Sequence, residues 1–232
     1  NRKEAELKFN TVNPGEIAVV AVSPGPGLSR IFASLGVAAV VEGGQTMNPS
    51  VKDLVAAFEN LPTDKVIILP NNKNIILAAQ NASKVSVKKV GIIPTRNTPQ
   101  GFASMFRLMP DGDFDDVVES MTEAISEVHT AELTTATRTA EIEGVKVKKG
   151  EVIVLYDGKL ILSKSSIEEA FDALYNHIDM DEFERVTLFY GEGVNQSSAN
   201  IMADKTRAEY EDLEVEVHEG GQPHYQYIVA FE

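Results

Sequence analysis

The chain has 232 residues, a formal net charge of −14 and no cysteine. An acidic chain repels phosphate backbones and anionic lipid surfaces, so neither nucleic acid nor a membrane surface is expected as a partner. The absence of cysteine excludes disulfides, thiolate metal sites and cysteine nucleophiles and agrees with a cytoplasmic location, and no run of about 18 apolar residues predicts a membrane span.

The chain begins with the polar stretch NRKEAELKFN, which lacks an initiator methionine and the apolar segment of a signal peptide. We therefore expect a fragment of a longer protein, in which residues 1–15 form a disordered or linker start.

Four short apolar runs then predict a parallel sheet. They are rich in valine and isoleucine and do not alternate with polar residues, which is typical of strands buried on both faces. The runs are Ile17–Val22, Val37–Val41, Val66–Leu69 and Val90–Ile93. Helical patterns begin near Ser29, Ser50, Asn74, Thr98 and Asp113, and the last is predicted to extend to His129. This alternation predicts a parallel β/α lobe over residues 16–129.

The pattern changes near Thr130, where we place the boundary between two lobes. Asp157 and Gly158 lie between two apolar runs and predict a tight hairpin. Helices are predicted over Ser166–Ile178 and Asn195–Tyr210, and strands over Val186–Tyr190, Leu213–His218 and Tyr225–Phe231. Residues 130–232 are thus expected to form an α+β lobe with a mostly antiparallel sheet, and the fold class of the whole chain is α/β with two lobes.

The tetrad Glu-Gly-Gly-Gln occurs twice, at positions 42–45 and 219–222, each time after an apolar run. Two glycines allow a sharp turn through a positive φ or a close backbone approach. A helix is predicted soon after the first copy, so an anion-binding nest is a second interpretation there, whereas the second copy is expected to be a turn alone. The GGQ tripeptide of peptide release factors is not the preferred interpretation, because an acidic chain does not suit an RNA cavity.

The stretch DGDFDD, residues 111–116, has a calcium-loop interpretation. Position six of such a loop should be glycine and is Asp116, and position twelve should be glutamate and is Thr122. Carboxylates at the start of a helix are therefore the preferred explanation.

Four aromatic and methionine residues at helical spacing form one predicted stripe: Phe102, Met105, Phe106 and Met109. Such a stripe is more often core than a surface for an acyl chain or a partner helix. Among the four histidines, only His218 and His224 could lie near each other, which is weak evidence for a metal site.

The predicted strands end in polar loops: SPGPG, EGGQTMNPS, PNNKN and PTRNTP. Ligands of parallel sheets bind at these carboxyl ends. The sequence has no GxxxxGK[ST] phosphate loop, no GxSxG and no HExxH, so the loops carry no evident nucleophile, base or metal set. This combination favours binding over catalysis.

Four longer strings carry a resemblance to a known family: GGQTMNPSVKDLVAAF, VIILPNNKNIILAAQNA, VGIIPTRNTPQGFASMF and GGQPHYQYIVAFE. They resemble the C-terminal region of the catalytic subunit of the bacterial fatty acid kinase, a family also labelled dihydroxyacetone-kinase-like or DAK-phosphatase-like, over about residues 16–232. The resemblance implies a DegV-like fold, similar to fatty-acid-binding proteins that include the substrate-carrying, fatty-acid-binding subunit of the same kinase. Because nothing in the chain resembles the kinase domain, ATP and magnesium are expected only there, and no cofactor or metal is expected here.

In DegV proteins a fatty acid lies between two lobes, which implies a set of ligand-binding candidates in the matching loops of this chain. They are Thr46, Asn48 and Ser50 after the second strand, Asn71 and Asn72 after the third, Arg96 after the fourth, and Gln222 and His224 in the C-terminal loop. The two EGGQ copies would then face one cleft. Side-chain amides replace a serine-rich loop of the DegV family, and amides can also receive a carboxylate.

The resemblance implies a non-catalytic part of a transferase that phosphorylates the carboxylate of a protein-bound fatty acid. The expected partners are the fatty-acid-binding subunit of the kinase and the chain's own kinase domain, with a fatty acid as a further ligand. Two alternatives stay open: a lipid- or carboxylate-binding module, and a stand-alone small-molecule kinase or phosphatase.

Overall fold

The computed structural model describes residues 7–232, which divide into two units. Unit 1 contains the described residues up to Glu127, and unit 2 contains Val128–Glu232. Of the expected linker start, residues 1–6 lie outside the described residues. Residues 7–15 contain no helix or strand, but the N–H of Asn10 donates to the carbonyl oxygen of Val37 over 3.1 Å and Val12 is buried. This segment therefore packs against the rest of unit 1.

Unit 1 is built on a parallel four-stranded sheet with the strand order β2-β1-β3-β4. The strands are β1 Ile17–Ser23, β2 Ala39–Glu42, β3 Lys65–Leu69 and β4 Lys89–Ile92. Every residue of the central strand β1 is buried, whereas the edge strands β2 and β4 are mostly half-buried. The prediction of a parallel sheet from the four apolar runs is confirmed.

Five helices connect and flank these strands: α1 Pro26–Leu35, α2 Val51–Phe58, α3 Ile76–Val85, α4 Thr98–Met105 and α5 Phe114–Glu123. Leu54 and Phe58 of α2 pack with Val20 and Ile68 of the central strands in one core cluster. The crossovers bring each strand's carboxyl end to the same edge of the sheet, which positions the loops that the sequence singled out.

The acidic stretch at the start of α5 forms a helix cap, the interpretation that the sequence favoured over a calcium loop. The side chain of Asp113 accepts hydrogen bonds from the N–H groups of Asp115 and Asp116, at 3.0 and 3.2 Å. These two bonds lower the pKa of Asp113. The predicted helix Asp113–His129 is too long, because α5 ends at Glu123, a 3₁₀ turn covers Ala124–Glu127, and His129 begins a strand.

The predicted core stripe on α4 is wrong for two of its four residues. Phe102 and Met105 are buried, and the Phe102 ring lies 4.5 Å from that of Phe32 between centroids. Phe106 and Met109, in contrast, are 73% and 66% exposed. The helix ends at Met105, so the chain turns before the last two side chains can continue along the same face.

Unit 2 is built on a six-stranded sheet with the order β11-β10-β12-β5-β8-β9. Its strands are β5 His129–Thr135, β8 Val152–Tyr156, β9 Lys159–Lys164, β10 Arg185–Tyr190, β11 Glu214–Glu219 and β12 Tyr225–Phe231. Only β10 and β11 pair in parallel, so the predicted, mostly antiparallel sheet is confirmed. A separate hairpin joins β6 Ala140–Ile142 to β7 Val145–Val147.

The predicted Asp-Gly hairpin joins β8 to β9. Asp157 and Gly158 have φ angles of 47° and 80°, the left-handed values that a two-residue hairpin turn requires. Two helices, α6 Ile167–His177 and α7 Gln196–Glu209, complete the unit. The Phe171 ring of α6 packs edge-on against Tyr227 of β12 at 5.1 Å, within an extensive buried cluster. Within residues 7–232, no helix has both the length and the apolar character that crossing a membrane requires.

Candidate functional site

The candidate site of unit 1 is the group of loops at the carboxyl ends of β1 to β4. We call residues 42–50, 70–75 and 93–97 the strand-end loops. They follow β2, β3 and β4, and they contain six of the eight residues that the sequence nominated.

Asn71 connects three strand ends. Its side-chain Nδ2 donates to the carbonyl oxygen of Val22 over 2.8 Å, and its backbone N–H donates to Oγ1 of Thr95 over 3.0 Å. Its φ of 54° is left-handed, a conformation that asparagine tolerates better than most residues. Its Oδ1 is buried without a hydrogen-bond partner among the described residues.

That oxygen lies against α4 at a glycine. A Cβ added to Gly101 would come within 2.3 Å of Oδ1 of Asn71, so only glycine leaves room there. Asn71 is therefore a structural link between β1, β3, β4 and α4. Sequence reasoning missed Thr95 and Gly101 as its neighbours, although a glycine inside a predicted helix is a signal of close packing.

Asn72 lies beside the first EGGQ copy. Its Nδ2 donates to Oε1 of Gln45 over 3.4 Å, and its Oδ1 accepts from the N–H of Asn74 over 2.9 Å. The loops after β2 and β3 thus meet across β1, although their strands are not neighbours.

Ser50 caps α2 instead of standing free. Its hydroxyl accepts from the N–H of Asp53 over 3.1 Å, and the carboxylate of Asp53 accepts from the N–H and the hydroxyl of Ser50 at 2.9 and 2.7 Å. These bonds, the side-chain bond first, lower the pKa of Asp53. The positive end of α2 is thereby occupied by its own carboxylate.

Thr46, Asn48 and Arg96 have exposed side chains in the strand-end loops. Thr46 lies in a tight turn in which Gly44 and Met47 exchange backbone hydrogen bonds of 2.8 and 3.3 Å. Arg96 directly follows Thr95, and its backbone N–H donates to Oε1 of Gln100 over 2.7 Å. Together with Ser50, these three residues are the exposed candidates of unit 1.

The glycines of the first EGGQ copy are needed for close packing. A Cβ on Gly43 would lie 2.8 Å from Cδ of Pro49, and one on Gly44 would lie 2.7 Å from Cβ of Pro24. Their N–H groups donate to the carbonyl oxygens of Ser23 and Met47, at 3.1 and 2.8 Å. Because both amides are used internally, these two glycines do not form the anion-binding nest that was a second interpretation for this copy.

The second EGGQ copy forms a turn at the end of β11, as expected. The N–H groups of Gly220 and Gly221 both donate to the carbonyl oxygen of Tyr190, at 3.0 and 3.1 Å, and Gly221 has a φ of 67°. Gln222 is 1% exposed, and its Nε2 donates to the carbonyl oxygens of Phe189 and Tyr225, at 3.0 and 3.3 Å. Its side chain therefore fastens the end of β10 to the start of β12.

His224 and His218 differ in their surroundings. His224 is exposed with a left-handed φ of 68°, and its carbonyl oxygen accepts from the hydroxyl of Thr134. His218 lies on β11, where Nε2 pairs with Glu216 at 2.8 Å and the ring stacks on Phe189. Across residues 7–232, no group of three or more His, Asp or Glu residues is arranged to hold a metal ion.

The structure thus places Asn71, Asn72 and Ser50 in the strand-end loops of unit 1, with a contact between the loops through Asn72 and Gln45, and it places Gln222 and His224 in the turn between β11 and β12 of unit 2. The meeting of the two EGGQ copies across one cleft stays a prediction. Sequence reasoning also missed Gly191 beside the turn between β11 and β12, where a Cβ would come within 2.2 Å of the carbonyl oxygen of Tyr225.

Comparison with known sequences identifies the family to which the chain belongs. The sequence model of the FakA-like C-terminal family, which describes the C-terminal region of proteins like the A component of fatty acid kinase, matches residues 18–232. An uncharacterized protein of Staphylococcus aureus strain MRSA252 is 37% identical over 234 residues, covering 100% of this chain and 42% of that relative. An uncharacterized protein of Staphylococcus epidermidis is 36% identical over 217 residues, covering 94% of this chain and 39% of the relative. The chain spans about two fifths of the length of these curated relatives.

Comparison with solved structures identifies proteins that share the fold of this chain. The DegV family protein Cg2579 of Corynebacterium glutamicum has a TM-score of 0.68 at 14% identity, covering 94% of this chain and 97% of that one. The Streptococcus pneumoniae fatty acid kinase B3 protein, loaded with linoleic acid, has a TM-score of 0.61 at 10% identity, with coverages of 94% and 99%. The dihydroxyacetone kinase of C. freundii has a TM-score of 0.61 at 12% identity, with coverages of 95% and 49%. At these identities the likeness establishes a DegV-like fold and nothing finer.

Proposed function

Because the chain belongs to the FakA-like C-terminal family of fatty acid kinase proteins, we propose that it is a non-catalytic docking domain of a fatty acid kinase. In this proposal it binds the DegV-like, fatty-acid-binding subunit of the kinase and so presents the carboxylate to the kinase domain of the full-length protein. The fold that it shares with the B3 protein supports a role beside such a carrier.

The observation that carries this proposal is the use of the strand-end loops for internal structure. Asn71 binds Val22 and Thr95, Ser50 and Asp53 cap α2, and Asn72 bonds Gln45. Redirecting the buried bonds of Asn71 to a ligand would be costly, at about 1–3 kcal/mol for each bond broken, whereas the exposed bonds of Ser50 and Asn72 would cost less. Loops fixed in this way suit a rigid surface for another protein better than a site that rearranges around a reacting molecule.

The proposal places ATP and magnesium in the kinase domain, outside this chain. It is supported by the length of the relatives, of which the chain spans about two fifths. We also propose a cytoplasmic location, because the chain has no cysteine, as is common for proteins of reducing compartments.

The test is the affinity of the loaded fatty-acid-binding subunit for the full-length kinase and for a kinase that lacks residues 16–232, measured by biolayer interferometry. We expect the truncated kinase to bind at least about tenfold more weakly, a loss of about 1.4 kcal/mol. Equal affinities of the two proteins would refute the docking role. ATP hydrolysis by the truncated protein serves as the control that its kinase domain remains folded.

A carboxylate-binding module is the second candidate, and one observation favours it. The guanidinium of Arg96 is exposed and has no partner among the described residues, and guanidinium groups bind carboxylates in a bidentate manner. In this version Arg96, with Thr46, Asn48 and Asn72, would receive the carboxylate of a fatty acid. Native mass spectrometry of the purified chain would show a bound acyl chain that the Arg96→Ala variant loses, whereas Lys73→Ala, from the neighbouring loop, would retain it.

A further inference from the structure

The negative charge of the chain is concentrated in one part of unit 2. Residues 165–219 contain 15 Asp and Glu against 3 Lys and Arg, whereas the rest of unit 2 contains six of each. The three basic residues are all held in ion pairs: Arg185 with Glu214, Lys205 with Asp172 and Arg207 with Asp204, at 2.8, 2.6 and 2.7 Å. Twelve negative charges in this segment are therefore uncompensated within it.

An open groove of about 270 Å³ lies within unit 2 at the starts of α6 and α7, and most of its lining belongs to this acidic segment. Its lining is Ile167, Glu168, Gly193, Val194, Asn195, Ser198, Ile201, Met202 and Tyr227. Four aliphatic or thioether side chains form an apolar wall, and one of them, Ile201, is 65% exposed. Large exposed apolar side chains beside a concave surface are typical of a contact site.

Two polar groups of the lining can bind a ligand. Tyr227 is only 2% exposed, and its hydroxyl has no hydrogen-bond partner among residues 7–232. Burial first, and then the charge of Glu168, raise the pKa of Tyr227 to about 12, so the phenol stays neutral and can both donate and accept. Glu168 is exposed, and none of the three ion pairs of the acidic segment involves it.

The apolar wall, Glu168 and Tyr227 together favour a ligand with a positively charged end on an apolar chain. A carboxylate or phosphate would be repelled by Glu168 and by the surrounding charge, which disfavours fatty acid headgroups, nucleic acid and anionic lipid in this groove. The stem of lysine or arginine can lie along Ile167, Val194 and Ile201, as such stems commonly cover apolar surface. Its charged end then meets the carboxylate of Glu168 and the hydroxyl of Tyr227. The partial positive charge at the N-terminus of α7 weakly repels a cation in the groove. The side chain of Asn195, which caps this helix, reduces that repulsion.

We propose that the groove at the starts of α6 and α7 receives a lysine or arginine side chain from a basic surface of a partner protein, with Glu168 as its charge partner. For the identity of that protein the inference rests on the proposed function, in which the partner is the fatty-acid-binding subunit. The remaining acidic residues of 165–219 would speed the encounter, because complementary charge raises association rates more than it raises affinity.

The first test uses the chain itself and small probes, so it does not depend on that partner. In ¹⁵N-edited NMR titrations, n-butylguanidinium should shift the amide signals of residues 167–168, 193–202 and 227, and the Glu168→Gln variant should lose most of these shifts. Sodium butanoate should leave the same signals in place. The inference is overturned if n-butylguanidinium shifts signals evenly over the acidic segment, or if butanoate shifts the groove instead.

The second test measures the affinity of the full-length kinase for the loaded fatty-acid-binding subunit. Glu168→Gln should weaken binding by about tenfold through faster dissociation, Ile201→Ser by about fivefold and Tyr227→Phe by about threefold. Glu211→Gln removes the same charge from an exposed position outside the groove and should change affinity less than about twofold.

The outcomes separate the two proposals. If Glu168→Gln and Glu211→Gln act equally while the wild-type kinase binds, the fatty-acid-binding subunit docks elsewhere, and the assignment of this groove to it is wrong. If wild-type kinase gains no affinity from residues 16–232 but the guanidinium titration succeeds, the proposed docking function fails and the groove remains a site for another basic protein.

Discussion

The two copies of Glu-Gly-Gly-Gln have the same letters and different physical roles. In the first copy both glycines are required by neighbouring proline side chains, and Gln45 is exposed. In the second copy Gly221 takes a left-handed φ, and Gln222 is buried and fastens two strands together. A repeated tetrad therefore shows that a strand end recurs, but the packing around each copy decides what its residues do.

The two units also differ in composition in a way that experiments can use. All six tyrosines lie in unit 2, and the chain has no tryptophan, so tyrosine fluorescence reports on unit 2 alone. Unit 2 carries 21 acidic and 9 basic residues, whereas residues 1–127 carry 14 and 12. The effect of a variant in the second EGGQ copy on unit 2 can thus be measured by tyrosine fluorescence. Hydrogen exchange measures the effects of variants in either copy, because it reports on both units.

The largest expected difference between the units is their response to alkaline pH. Burial raises the pKa of Tyr227 to about 12, above its ordinary value near 10, so the folded state retains the proton longer than the unfolded state. The resulting stability is complete below about pH 10 and is lost as the pH rises to about 12, at a cost of about 3 kcal/mol for this residue. Desolvation by burial also raises the pKa of the buried Tyr175 and of the half-buried Tyr225.

We therefore expect unit 2 to become susceptible to an alkaline protease at a lower pH than unit 1, which has no tyrosine. Pulse proteolysis followed by mass spectrometry measures this for each unit. Tyrosinate absorbance of the native protein should appear at higher pH than that of the protein in urea. First cleavage within unit 1 would contradict the expectation.

The second comparison exchanges the two glutamines for alanine. Gln222→Ala leaves the buried carbonyl oxygens of Phe189 and Tyr225 without the amide, and we expect unit 2 to lose about 2–4 kcal/mol of unfolding free energy. Gln45→Ala removes one exposed contact with Asn72 and should cost less than about 0.5 kcal/mol. Urea unfolding monitored by tyrosine fluorescence measures the first, and hydrogen exchange measures the second. Similar costs for the two variants would show that burial does not distinguish the copies.

The third comparison concerns the glycines. Gly43→Ala places a methyl group 2.8 Å from Cδ of Pro49, and the strain should destabilise unit 1 by about 1–3 kcal/mol. Gly221→Ala is strained by its left-handed φ and should destabilise unit 2 by about 1–2 kcal/mol. Peptide-resolved hydrogen exchange assigns each loss to its unit. Gly221→Asn is the matched control, because asparagine tolerates this conformation and should recover part of the stability.

Much of the fold could be read from the sequence because its signals are local. The run Ile17–Val22 predicts a buried strand and β1 is buried throughout, and the Asp-Gly pair at 157–158 predicts the hairpin that forms there. Where the fold depends on distant packing, the pattern fails. Phe106 continues the apolar spacing of α4 but lies beyond the helix end, and the helix predicted from Asp113 extends to His129, which begins a strand instead.

The candidate site was less predictable, for the same reason. The sequence places Asn71, Asn72 and Ser50 in loops at strand ends, which is where they lie. It does not show that Asn71 is bound to Thr95 from the next strand, or that Ser50 is used by Asp53. The groove near Tyr227 was missed altogether, because its lining comes from three separate stretches whose proximity only the fold creates.

The smallest expected effect distinguishes a cap from a ligand at Ser50. Ser50→Ala removes the side-chain cap of α2 and should cost unit 1 about 1 kcal/mol, whereas Ser50→Thr retains a hydroxyl and should cost less. Since the hydroxyl of Ser50 is the first cause of the lowered pKa of Asp53, that pKa should rise towards its ordinary value in Ser50→Ala. A lowered pKa gives stability that is present at neutral pH and lost in acid, so the variant should also lose less stability on acidification than the wild type. NMR titration of the Asp53 carboxylate and acid unfolding of both proteins measure this. If Ser50 were instead a ligand residue, Ser50→Ala would weaken the binding of a fatty acid or of its carrier protein and leave the Asp53 titration unchanged. We expect the reverse, because the hydroxyl of Ser50 already donates to the carboxylate of Asp53 over 2.7 Å.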